Sequence, residues 1–96
     1  MLPLIACLLL ASVFLSGAAP VMALSPIASQ LIRVWYFDSV NEKWLLYDPS
    51  VPNELNTLNT LKKGNEIFIL VKSSMYITTG SGVTVNMSPG WNRVIW

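Results

Sequence analysis

The chain has 96 residues, room for one small domain. Six basic against five acidic residues give a net charge of +1, and only Lys62 and Lys63 adjoin. Phosphate neutralisation needs a clustered basic face, so this balance excludes nucleic acid as a partner. There is no histidine, and the single cysteine is Cys7, which excludes Cys/His metal sites, Ser–His and Cys–His catalysis, and an internal disulfide.

Charge is segregated. From Met1 to Gln30 no side chain is charged, and every charged residue lies between Arg33 and Arg93. Leu2 to Leu15 is almost wholly apolar, followed by the small and turn-forming Ser16, Gly17, Ala18, Ala19 and Pro20. Val21-Met22-Ala23 then places small residues at the −3 and −1 positions of a signal peptidase site. The pattern predicts a hydrophobic signal helix in a signal peptide over 1–23, cleaved after Ala23, and a product that is secreted or held at the cell surface. The alternative is an uncleaved anchor, since Leu2 to Leu24 is long enough at about 20 residues per bilayer crossing. Pro3, Ser12, Ser16, Gly17 and Pro20 shorten its strongly apolar core to signal-peptide length. A membrane therefore enters only through the leader, if it stays uncleaved. Leu4-Ile5-Ala6-Cys7 resembles a lipobox, but a long apolar run follows Cys7 where a polar tether belongs.

The region 24–96 reads as strands. Leu31 to Phe37 is rich in β-branched and aromatic residues. Asp38 to Glu42 is a polar turn, and Lys43 to Tyr47 returns as the second strand of a hairpin. Asp48 to Asn53 holds two prolines and is a loop. Leu55, Leu58 and Leu61 recur every third residue, which fits a short 3₁₀ or extended segment pinning leucines into the core. Gly64 and Asn65 supply a turn. Glu66 to Lys72 is apolar on both faces and predicts a central strand, with Ile67, Phe68, Ile69 and Leu70 buried. Met75–Thr78 and Val83–Met87 pair across Thr79 to Gly82. Pro89-Gly90 is a turn, and Trp91 to Trp96 is the last strand. Six short strands without helical periodicity predict an all-β module, a small antiparallel sandwich or barrel.

Three segments carry a resemblance. Val34-Trp35-Tyr36-Phe37-Asp38 with Trp44 and Tyr47-Asp48-Pro49, then Leu55-Asn56-Thr57-Leu58 through Leu61-Lys62-Lys63-Gly64, then Pro89-Gly90-Trp91-Asn92 together resemble a β-rich repeat module. That module occurs in large secreted and surface proteins of bacteria and archaea. The chain departs from its pattern at Lys63 to Phe68, where an aromatic strand after a Pro-Gly turn is usual, and in closing rather than opening on the Gly-Trp-Asn strand. The resemblance implies a non-enzymatic surface module.

No residue set supports a reaction. Asp38 and Asp48 end the two strands of one hairpin at opposite ends, too far apart for paired-carboxylate glycoside chemistry. Asp38, Asn41 and Glu42 lack the spacing of a calcium loop. Asn86-Met87-Ser88 matches a glycosylation acceptor, but Pro89 follows directly and the match is fortuitous. No cofactor is implied. The tryptophans and tyrosines read chiefly as core, which a domain of this size needs, or else as a sugar-stacking platform. Along the last strand Trp91, Arg93 and Ile95 share one side and Asn92, Val94 and Trp96 the other. Trp91 is expected in the core, with Asn92 tying the turn, and Trp96 at the surface. The expected contact residues are Trp96, Trp44 and Tyr47. The expected partner is another copy or a neighbouring β module met through a sheet edge and aromatic contacts, with carbohydrate as the alternative.

Overall fold

A computed structural model describes residues 17–96; the expected signal helix lies outside the described residues. The fold is all-β. Six strands, β1 (Leu31–Asp38), β2 (Lys43–Tyr47), β3 (Glu66–Val71), β4 (Met75–Thr78), β5 (Thr84–Met87) and β6 (Gly90–Ile95), form two antiparallel sheets. One has the order β2-β1-β3-β6, and the other is the β4–β5 hairpin. The two-sided apolar run Glu66–Val71 is central, paired with β1 on one side and β6 on the other.

The layers are unequal. One face of the four-stranded sheet offers Val34, Tyr47, Ile67, Ile69, Val71 and Val94, all buried. Against it pack Ile77 and Met87 of the hairpin, Leu58 and Leu61 of the leucine segment, and Leu24 and Ile27 of the N-terminal turns. Ile67, Ile69 and Val71 alternate with half-buried Phe68 and Leu70. Phe68 and Leu70, expected in the core, therefore face outward, because among the described residues the sheet is covered on one side only. Leu55 is also corrected: it ends a 3₁₀ turn (Asn53–Leu55) and is exposed. The chain then extends, and Asn56 is buried in its place, accepting from the Asp48 amide and donating to the Asp48 carbonyl.

The packed body begins before Leu24. Ala18 and Leu61 exchange two backbone hydrogen bonds of 3.1 and 2.7 Å. A single helical turn, Pro20–Ala23, follows, with Pro20 buried. Gly17 has φ 121°, and a Cβ there would lie 2.6 Å from the Thr60 methyl and 2.8 Å from the Leu61 carbonyl. Only glycine fits at that approach.

The chain's last residue is also locked in. The Trp96 amide donates to the Asn65 carbonyl, and the Ser81 amide and hydroxyl both donate to the Trp96 carbonyl. Its indole lies under the β4–β5 turn at 4% exposure. This reverses the expected assignment of the last strand: Trp96 is inside and Trp91, at 54% exposure, is outside. The two groups of side chains are as the alternation predicts; the face that turns inward is the other one.

Candidate functional site: an aromatic sheet face

The outer face of the four-stranded sheet has no layer over it among the described residues, yet it is apolar. Alternation along β1 puts Arg33, Trp35 and Phe37 there, opposite buried Val34. Register does the rest. Phe37 pairs with Trp44 on β2, Trp35 with Phe68 on β3, and Leu70 with Trp91 on β6. Trp44 is the hub, with its ring centroid 5.2 Å from Phe37, 6.0 Å from Phe68 and 6.3 Å from Trp35, tilted or edge-on to each. Such geometries match the ring quadrupoles and hold the indole in one orientation.

Trp35, Trp44, Phe68 and Trp91 line an open hollow of about 450 Å³. The central strands supply its half-buried floor, Trp35 and Phe68. The edge strands supply its walls, Trp44 and Trp91, each more than half exposed. Phe37 and Ile95 extend the exposed apolar surface. Contiguous exposed apolar surface of this kind marks contact sites on small proteins.

Two ion pairs flank the face. Arg93 on β6 donates to Glu66 on β3 at 2.7 Å, and Arg33 donates to Asp48 at 3.3 Å. Hydrogen bonds from the Ser50 hydroxyl and amide, then from Arg33, hold the Asp48 carboxyl below its ordinary pKa. Asp38 is lowered likewise, by the Asn41 side chain first and then by backbone amides of its turn. Both carboxylates are stabilised as anions, the opposite of what a general acid requires. Burial raises the Tyr47 phenol, with Asp48 adding to the effect. Among the described residues no three acidic, histidine or cysteine side chains converge as a metal would need. A second, mixed-polarity groove of about 430 Å³ lies between the β1–β2 hairpin and the segment 57–65.

Of the three expected contact residues, Trp44 stands at the site. Tyr47 is buried on the opposite face, across from Val34. Trp96 is buried under the hairpin turn, because Asn65 and Ser81 draw its backbone inward. Trp35, Phe68 and Trp91 complete the site; the tryptophans were read chiefly as core and otherwise as a sugar-stacking platform, and Phe68 as core. Their signal was the apolar character of both faces of β1 and β3, which fits a two-sided core and a one-sided core with an aromatic outer face equally well. Compared with known protein families, curated protein sequences and solved structures, the chain matches none.

Proposed function

We propose that the chain is an exported, non-enzymatic structural or adhesive module that acts through the aromatic face of its four-stranded sheet. Its partner is another copy or a neighbouring β module, and it works in secreted form or at the cell surface. The supporting observation is the pair of half-exposed indoles, Trp44 and Trp91, walling a hollow floored by Trp35 and Phe68. A lone surface tryptophan needs no explanation, but four aromatic rings gathered on a sheet face that no described residue covers do. The uncharged leader supports export, and the resemblance to surface repeat modules agrees with it.

A second reading, a carbohydrate-binding module, is favoured by the same exposed indoles, since ring faces stack on sugar C–H groups. The hollow offers sugar hydroxyls little: no carboxylate, amide or hydroxyl lines it, and the adjacent Arg–carboxylate pairs already satisfy one another. Buried hydroxyls left without partners weaken binding, so an apolar occupant fits better.

The test offers the full chain two surfaces, immobilised copies of itself and insoluble cellulose or chitin. Retention on the first, weakened at least tenfold by Trp44→Ala with the fold intact, is the expected result (a loss of about 1.4 kcal/mol). Retention on polysaccharide, competed by soluble oligosaccharide, replaces this reading with sugar binding.

A further inference from the structure

The four-stranded sheet has two edges, and they are treated differently. The β2 edge is capped. The Leu46 carbonyl accepts from the Thr57 and Leu58 amides at 3.0 and 2.9 Å, and the Leu46 amide donates to the Thr57 hydroxyl at 2.9 Å. Asn56 closes on the Asp48 amide just beyond. Segment 56–58 thus occupies the outward hydrogen-bonding positions of Leu46, one of the two β2 residues, with Trp44, whose backbone points away from β1.

The β6 edge is open. Trp96 donates directly to its register partner Asn65, so the pairs Val94–Ile67, Asn92–Ile69 and Gly90–Val71 are the hydrogen-bonded ones. The amides and carbonyls of Trp91, Arg93 and Ile95 then point away from β3. Among the described residues no group hydrogen-bonds to them. Two of the usual protections of an edge are missing too: the register with β3 runs unbroken from Glu66↔Ile95 to Val71↔Gly90, without a bulge, and no proline interrupts the strand.

We propose that β6 pairs antiparallel with β6 of a second copy about a two-fold axis at Arg93, joining two four-stranded sheets into one of eight. The observations favour a second copy over an unrelated peptide because the edge is self-complementary about that axis. Arg93 meets Arg93 of the second copy, and Trp91 meets its Ile95, so three donors and three acceptors on each side are all satisfied. The side chains agree. Trp91 and Ile95, each about half exposed on the outer face, become cross-strand apolar neighbours. The two arginines that meet are each neutralised by their own Glu66 at 2.7 Å. An isologous contact of this kind closes and does not polymerise. A contact of one strand with one strand is small beside the standard specific interface, so weak association is expected. This proposal rests on the contact-module reading only in treating Trp91 as a contact residue; the edge geometry stands independently of it.

Amide exchange of the full chain, resolved by residue and measured from dilute to concentrated solution, tests it. The proposal predicts that Trp91, Arg93 and Ile95 exchange fast when dilute and slow by about tenfold or more when concentrated, approaching their neighbours Asn92 and Val94. Fast exchange of these three amides at every concentration overturns it, even if the chain associates by another route. Arg93→Pro removes a donor that points away from β3, so the sheet keeps its own bonds; it should abolish the slowing, whereas Arg93→Ala should keep it. The wild-type comparison decides the matter if Arg93→Pro fails to fold. Trp44→Ala, on the far strand, separates the two readings. Slowing that persists while wild-type and Trp44→Ala chains are retained equally on immobilised copies sinks the face and leaves the edge. Loss of retention in Trp44→Ala without any slowing does the reverse.

Discussion

A Cβ atom at Gly80 would lie 2.6 Å from the indole nitrogen of Trp96. The turn of the β4–β5 hairpin therefore sits directly on the last side chain, and glycine is what permits the contact. Gly80→Ala must push the turn or the indole aside, at a cost of about 1–3 kcal/mol. Chemical denaturation of the two proteins measures it. An alanine variant as stable as the parent would mean that the turn does not seat on Trp96.

Two neighbours on β3 should respond in the opposite order to their size. Ile69 has no exposed surface, whereas Phe68 is half-buried on the outer face. Ile69→Ala should cost about 2–5 kcal/mol, by lost transfer energy and the cavity left behind. Phe68→Ala leaves no enclosed cavity and should cost less, despite removing more atoms. Equilibrium unfolding of both variants checks the order, and a larger loss at Phe68 would place the covered core on the other side of the sheet.

How far the fold was legible follows from these same residues. The spans Lys43–Tyr47 and Met75–Thr78 were readable to the residue, because β-branched and aromatic runs there are bracketed by turn chemistry. The central place of Glu66–Val71 and the role of Asn92 were readable too; Asn92 bonds the Ser88 amide and carbonyl across the turn. The inward face of β6 was not. Period-two alternation groups Trp91 with Ile95 and Val94 with Trp96, but which group faces the core depends on Asn65 and Ser81, contacts distant in sequence. For the same reason Trp44, expected as a contact residue, stands on the outer face beside Phe68 and Trp91, which were assigned to the interior.

The N-terminal boundary has a measurable consequence. Cleavage after Ala23 would remove Pro20 and the two Ala18–Leu61 hydrogen bonds. At a net of about 0.5–1.5 kcal/mol per bond, a chain starting at Leu24 should be less stable than one starting at Gly17 by about 1–3 kcal/mol. Paired denaturant melts test this. Equal midpoints would show that residues 17–23 add nothing to the domain.

Acid should destabilise the protein through Asp48. Its folded pKa is lowered from 3.8, by Ser50 first and Arg33 after. A depressed carboxylate contributes stability that is fully present above the unfolded pKa. That contribution is lost as pH falls below about 4 and through the lower folded value. Asp48→Asn should flatten the stability–pH curve in this window and lower stability at neutral pH. An unchanged acid slope in the variant would assign the dependence to other groups.

Contact through the outer sheet face can be watched at its own indoles. Labelling the four tryptophans with fluorine gives one resonance for each indole, followed while the full chain binds immobilised or concentrated copies of itself. If the outer face makes the contact, Trp44 and Trp91 shift and lose access to a solvent paramagnetic probe, while Trp96, already buried, stays unchanged. Association that leaves Trp44 and Trp91 unmoved, or that shifts Trp96 alone, would contradict it.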